Sequence, residues 1–352
     1  MAGATPGWID GALIIAVTLF VSHFSKRQIE DRFRHRADRP PLRAIAFGAA
    51  ANIAAVLAAG AIYAVVEISQ HSVVTSTGWR EHYPGAMAIL AGVNTPEVDR
   101  FLPPLKNIKR DRADVYKDGC HVPHRGDEPN PCEYGHKGGD VEIVLVGDSH
   151  AANWIPALKI VVNQKHWQLT THTKSSCPLL RVPIERGGKP SASCLMWGTK
   201  ILDALKASPP DIVIFTLSSD RPIFGAEKAD NHEAMTSAIV DVWDYLLGLG
   251  IRVVAIRDNP RMPFNPPECL SGAGSCIVEN FKMRPDPIVD AHKRRPEVAL
   301  IDLNDAFCSG GRCPLVVGNV YVWRDSHHFT ATYAQTLAPT LESRLEALLD
   351  GD

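Results

Sequence analysis

Residues Val141-Glu-Ile-Val-Leu-Val-Gly-Asp-Ser-His150 carry an apolar, β-branched stretch straight into a glycine, an aspartate and a serine. A run of that kind, five to six residues long and bounded by turn residues, reads as a buried strand. From residue 140 onward the pattern repeats. Further short apolar runs lie at Gln168–His172, Asp211–Leu217, Ile251–Ile256 and Val298–Leu303. Stretches with helical character separate them near Ala151–Gln164, Cys194–Ala207, His232–Leu249 and Pro287–Arg294, and a last amphipathic stretch covers Ala331–Leu349. Strands alternating with helices predict a parallel sheet covered by helices on both faces. Such a sheet gathers its ligands at the carboxyl ends of the strands. Gly147-Asp-Ser149, Leu217-Ser-Ser-Asp220 and Arg257-Asp-Asn-Pro260 all fall there, and Asp325 and His328 precede the last helix.

The chain has 352 residues, enough for one large domain or two moderate ones, and its formal net charge is -2. With aromatics sparse and no basic stripe, nucleic acid is not an expected partner. All eight cysteines follow position 119 and fall into local pairs by spacing: Cys120 with Cys132, Cys177 with Cys194, Cys269 with Cys276, and Cys308 with Cys313. An even count confined to one region suggests disulfides formed in an oxidising compartment. No CxxC pair is present and the histidines do not cluster with the cysteines, so neither a metal nor a cofactor is expected.

Before the first strand the composition changes. Trp8–Phe24 and Ala44–Val66 are largely apolar, each about long enough to span a hydrocarbon core of roughly 30 Å. The intervening Lys26–Arg43 holds seven Lys/Arg residues, which reads as a cytoplasmic loop. These features predict two transmembrane helices over residues 1–67, with the C-terminal domain outside the cytoplasm at the cell membrane. Residues 68–139 are rich in proline, glycine and charge. They read as a linker with some helix near Glu97–Leu102, ending in the Cys120/Cys132 staple, so that 140–352 forms the folded domain.

A serine hydroxyl needs a base to take its proton before it can act as a nucleophile. Ser149 sits where a strand gives way to a helix, so its backbone N–H can also face a developing oxyanion. The stretch Trp323-Arg-Asp-Ser-His-His-Phe-Thr330 supplies a histidine three residues after an aspartate. That spacing assigns Ser149 as nucleophile, His328 as base and Asp325 as the carboxylate that orients it, with His327 as the competing base. Strand-end serines also cap helices, and Asp-x-x-His occurs in ordinary surface loops. Asp148, His150 and Trp154 fit either a role in the site or packing at the helix start.

Gly147-Asp-Ser-His-Ala-Ala-Asn-Trp154 resembles the first block of SGNH hydrolases, and Asp325-Ser-His-His-Phe-Thr330 resembles their last block. The likeness is greatest to the SGNH domain fused to acyltransferase-3 membrane proteins. Thr173-Lys-Ser-Ser-Cys-Pro178, Asp258-Asn-Pro-Arg261 and the paired cysteines 120 and 132 agree with that subgroup. Ser22–Arg34 resembles the exit of the last acyltransferase-3 helix. The resemblance implies a flavodoxin-like three-layer α/β/α fold and an O-acyltransferase, most simply an O-acetyltransferase, acting on a cell-surface glycan or glycolipid. A glycan O-acetyl esterase, or an inactive glycan-binding module, is the alternative. Two departures stand out. The second-block loop lacks its glycine and the third lacks its asparagine, leaving Ser149, Ser176, Ser218 and Ser219 as oxyanion candidates. Most acyltransferase-3 helices are also absent. The chain then belongs to a split or truncated product, or a membrane acyltransferase partner supplies the acyl group.

Overall fold

The computed structural model describes residues 8–27, 31, 49–50, 52–61, 78–272 and 276–349. The chain divides into two units, Met1–Thr77 and Gly78–Asp352. In the first, Trp8–Ser25 forms a helix of 18 residues. Among the described residues no helix is long and apolar enough to cross a membrane, so the two expected spans are not supported. Asp10, Ser22 and His23 interrupt the apolar run of the first. The second apolar run is helical at 49–50 and 52–61, and the rest of it lies outside the described residues.

The second unit is built on the expected sheet. Its strands are β1 (His121–Val122), β2 (Cys132–Gly135), β3 (Glu142–Gly147), β4 (Gln168–Lys174), β7 (Ile212–Thr216), β8 (Arg252–Ile256) and β9 (Ala299–Ile301), while β5 (Glu185–Arg186) with β6 (Lys189–Pro190) and β10 (Val316–Val317) with β11 (Val320–Tyr321) form two small hairpins. Strands β4, β3, β7, β8 and β9 lie side by side and parallel, with β1 parallel and β2 antiparallel to the free edge of β4. The order runs out from β3 to β4 on one side and through β7, β8 and β9 on the other. This is the flavodoxin-like arrangement, whose direction reverses between β3 and β7, and ligands bind at that switch point.

Alternate strand residues face opposite layers. Val144, Val146, Val213, Phe215, Val253 and Ala255 join one core with Trp197 of the helix Ala192–Ala207, Trp243 of Asn231–Gly248 and Ile288 of Pro287–Arg294. The intervening Ile143, Leu145, Ile212, Ile214, Val254 and Ile256 are equally buried. The helix Ser149–Lys165 packs on the sheet, and the helices Ala331–Thr336 and Ala338–Leu349 pack on it. The expected single last helix is thus broken at Leu337.

The expected linker is folded into this unit rather than separate from it. Trp79, Leu102, Ile108 and Val115 are buried, and β1 and β2 extend the sheet. Glu97–Leu102 is not helical. Helix appears instead at Trp79–His82 and Met87–Leu90, with 3₁₀ turns at Leu105–Arg110 and Asp114–Tyr116. Isolated anchors hold this segment, so no periodic face marks it. Asp111 shows how: its backbone oxygen accepts the N–H of Ala331 at 3.1 Å and its carboxylate that of Thr332 at 2.9 Å. The segment therefore satisfies orphan donors at the start of the C-terminal helix. All four local disulfides are formed as paired by spacing.

Candidate active site

Strand β3 ends at Gly147, whose φ is +149°. A Cβ there would lie 2.1 Å from the Thr216 backbone oxygen of β7, so a side chain is excluded and the turn sits tight against its neighbour. Asp148 then caps the helix Ser149–Lys165 by accepting the His150 N–H at 2.8 Å. This leaves Ser149 as the first residue of a 17-residue helix, at the positive end of its dipole.

The stretch from Trp323 to Phe329 doubles back on itself. Its ends are bridged, and Arg324 N–H donates to the His328 backbone oxygen at 3.0 Å. Within the turn one oxygen of Asp325 accepts the backbone N–H groups of His327 at 2.9 Å and His328 at 2.8 Å. The loop after β8 braces it, with Asn259 Nδ2 donating to the His327 oxygen at 2.9 Å and Met262 N–H to the Ser326 oxygen at 2.7 Å. Phe329 meets Trp154 edge-on at 5.3 Å, tying the turn to the serine helix.

These two pieces bring Ser149, His328 and Asp325 into one hydrogen-bonded line. His328 Nε2 is 2.9 Å from Ser149 Oγ, and His328 Nδ1 is 2.8 Å from an Asp325 oxygen. Burial favours the uncharged imidazole and lowers the His328 pKa to about 4 against the opposing pull of Asp325. Burial alone would raise the Asp325 carboxyl, but the His328 hydrogen bond and charge, with Arg324, hold it well below the usual carboxylate range. The competing His327 makes a 3.1 Å contact with Ser326 Oγ through its Nδ1. The 2.9 Å contact with Ser149 belongs to His328.

The oxyanion candidates separate. The Ser218 N–H donates to the Asp148 carboxylate at 3.1 Å, and the Ser219 N–H and hydroxyl donate to Asp258 at 2.9 and 2.8 Å. Both backbone N–H groups are therefore occupied by carboxylates. Ser218 Oγ additionally accepts from Arg261 at 3.0 Å. Ser176 occupies a left-handed turn, φ +51°, beyond β4, next to the Cys177–Cys194 disulfide. Its neighbour Lys174 is buried and grips the backbone oxygens of Pro123, His124 and Gly126. Ser149, at the helix start, keeps the position of an oxyanion donor.

A second histidine–carboxylate pair lies behind the first. His150 Nδ1 is hydrogen-bonded to Asp258, whose own N–H donates to Asp286 at 3.0 Å. Burial lowers the His150 pKa to about 4 and raises Asp258 to about 6. Burial and the neighbouring Asp258 charge push Asp286 up to about 7. His121, from the supposed linker, bonds Thr173 Oγ1 at 3.0 Å and interacts electrostatically with His328. Asp258 and His121 were not singled out as site residues from the sequence. The quoted Asp258-Asn-Pro-Arg261 motif and the Cys120/Cys132 pair were the available signals.

A hydroxyl, an imidazole and a carboxylate thus align at the switch point of a parallel α/β sheet. A family profile described as the SGNH domain fused to AT3 domains matches residues 119–343, and the chain belongs to that family. No curated protein matches the chain. Solved structures that match at low identity include the following three. The periplasmic domain of a lipopolysaccharide acetyltransferase from Salmonella ser. Paratyphi A is 15% identical, with TM-score 0.49, covering 70% of this chain and 98% of that one. An acylhydrolase from Bacteroides fragilis, so described without established activity, is 11% identical with TM-score 0.37, covering 61% and 91%. A GDSL-like lipase from Bacteroides thetaiotaomicron is 10% identical with TM-score 0.34, covering 69% and 99%.

Proposed function

We propose that this protein is an extracytoplasmic serine O-acyltransferase that moves a short acyl group, most simply acetyl, onto a hydroxyl of a cell-surface glycan or glycolipid. The observation that carries the reading is the unbroken line from Ser149 Oγ through His328 to Asp325, at 2.9 and 2.8 Å. Membership of the SGNH family supports the reaction class. The four disulfides support the compartment, because such bonds persist where the surroundings are oxidising.

In this mechanism His328 Nε2 accepts the Ser149 proton as Oγ attacks the acyl carbonyl carbon. Charge develops on the carbonyl oxygen, where the Ser149 N–H at the helix start stabilises it. The donor's leaving group takes the proton from His328, and the acyl group stays on Oγ. A sugar hydroxyl then gives its proton to His328 and attacks the acyl carbon, and His328 returns that proton to the departing Ser149 Oγ. Asp325 fixes the proton on Nδ1 and offsets the transient imidazolium. The acyl donor comes from a membrane acyltransferase, as the family name implies for its fused members. A glycan O-acetyl esterase would use the same residues, with water replacing the sugar hydroxyl in the second half.

Two measurements test this. A fluorophosphonate should label the full-length protein, and Ser149→Ala should abolish the label. Glycan acylation should fall in cells lacking the gene and return with the wild-type chain but not with Ser149→Ala. Absence of any Ser149-dependent label would overturn the serine mechanism. Labelling with unchanged glycan acylation would overturn transfer, and labelling with acylation that rises in cells lacking the gene would favour the esterase.

A further inference from the structure

We propose that His150, His327 and His328 form a binding site for a borderline divalent transition-metal ion such as Zn²⁺, and that the bound ion occupies the general base and switches the site off. Each of the three offers one ring nitrogen, and these atoms lie within 4.8 Å of one another. The rings form a compact group, with centroids 4.1 Å apart for His327 and His328, 5.1 Å for His150 and His328, and 5.6 Å for His150 and His327. The first two of these residues are 177 positions apart in sequence, so the fold itself assembles the cluster.

Two of the histidines are backed as metal-binding histidines are. His150 Nδ1 is held by Asp258, and His328 Nδ1 by Asp325 at 2.8 Å. A carboxylate on one ring nitrogen keeps the proton there, orients the ring and raises the basicity of the other nitrogen. In both residues that other nitrogen is Nε2. His150 is 1% exposed, and its Nε2 is buried without a hydrogen-bond partner. A buried polar atom left this way costs about 1–3 kcal/mol, and a ligand on its lone pair would remove that cost. Asp258 and Asp325 also set two negative charges behind the rings. Arg261 and Arg324 oppose an incoming cation, the latter through its contact with Asp325 at 3.5 Å.

Tetrahedral coordination at the usual Zn–N length needs ring nitrogens about 3.3 Å apart, so the cluster must tighten. His327 can do this, because its side chain is 27% exposed against 11% for His328. Three imidazoles leave one position open, on the side of Ser149 Oγ. Coordination uses the His328 Nε2 lone pair that otherwise accepts the Ser149 proton, so the ion and the nucleophile compete for one atom. The inhibitory part of this inference rests on the function proposed above, and the binding part does not.

The test uses the full-length protein stripped of metal, with Zn²⁺ and Co²⁺ as probes. Zn²⁺ should bind in calorimetry at one equivalent, and Co²⁺ should give the visible absorption of a tetrahedral site. His327→Gln, on the partly exposed turn, should weaken both by at least about tenfold. His150→Gln should do the same, but its position is buried, so His327→Gln carries the decision if that variant fails to fold. Zn²⁺ should slow fluorophosphonate labelling of the wild type, a chelator should restore it, and the same Zn²⁺ should leave labelling of His327→Gln unslowed. No binding at micromolar Zn²⁺, or binding unchanged in His327→Gln, overturns the site. Binding without any effect on labelling overturns the inhibition. If Ser149 is never labelled, the function reading fails while the Co²⁺ spectrum still decides the metal site.

Discussion

Replacing Asp286 by asparagine separates two costs that the wild-type carboxyl combines. Asp286 caps the helix Pro287–Arg294 through the Ile288 N–H at 2.9 Å, and its other oxygen accepts the Asp258 N–H at 3.0 Å. Burial, together with the Asp258 charge, raises its pKa from 3.8 to about 7. Between those values the folded state binds the proton that the unfolded state has lost. Stability therefore falls as pH rises through that window and stays low above it. At about 1.4 kcal/mol per pH unit, the loss between pH 5 and pH 7 is about 3 kcal/mol. Asparagine carries no such charge. It has one acceptor where the carboxylate has two, so one of the two N–H bonds is lost at about 1–2 kcal/mol at every pH. Asp286→Asn should then be close to wild type near pH 5 and more stable above pH 8, with the difference moving by roughly 3 kcal/mol. Urea unfolding of both proteins at the two pH values, disulfides intact and followed by tryptophan fluorescence, measures this as a relative midpoint shift of about 1 M. Asp258 titrates together with Asp286, so the measured change belongs to the pair. A difference that does not change with pH would refute the argument, because Asp286 would then ionise as an ordinary surface carboxyl.

Further outcomes are expected at the site and its supports. Asp325→Asn should reduce Ser149-dependent acyl turnover by about 10³–10⁴-fold, since the imidazole loses its orienting charge, and should also lower the urea midpoint at neutral pH, since a carboxyl held below its usual range contributes stability there. Gly147→Ala places a methyl 2.1 Å from the Thr216 oxygen and should cost several kcal/mol or displace Ser149, read as lost fluorophosphonate labelling together with a lowered melting temperature. Trp154→Ala should destabilise by about 3–5 kcal/mol, because a fully buried ring that packs on Phe329 is removed. Opening the 12-residue Cys120–Cys132 loop with a double serine variant should cost about 3 kcal/mol.

Much of this architecture could be read from the chain because parallel strands buried on both faces leave unbroken apolar runs. Val141–Val146 overlaps β3, which starts and ends one residue later, and Asp211–Leu217 contains β7, which is one residue shorter at each end. Ser149, Asp325 and His328 were legible for a related reason: strand ends and helix starts are marked locally, and the fold class says where such ends meet. The His150–Asp258 pair was not, since it spans 108 positions and depends on β7 lying between β3 and β8. Nor were the carboxylates that take the Ser218 and Ser219 N–H groups, because a serine's sequence context does not show which acceptor faces it. Residues 78–139 escaped because scattered side chains such as Trp79 and Val115 hold them, without a repeating face.

The cap that Asp111 places on the helix beginning at Ala331 has a consequence for how the protein is made. Near it, Thr336 Oγ1 accepts the Ala86 N–H at 2.9 Å, and Asn319 Nδ2 donates to the His82 oxygen at 2.9 Å. The segment around residues 82–111 leaves the ribosome before its partners, which are more than 200 residues behind it. It cannot be fastened until those partners have been made. Closure over such a span is slow, and a chain cut short anywhere before the last helices cannot fasten it. Ser149 therefore meets His328 only after the turn at Trp323–Phe329 has been made, and a nascent chain that stalls before that turn carries Ser149 without the 2.9 Å contact.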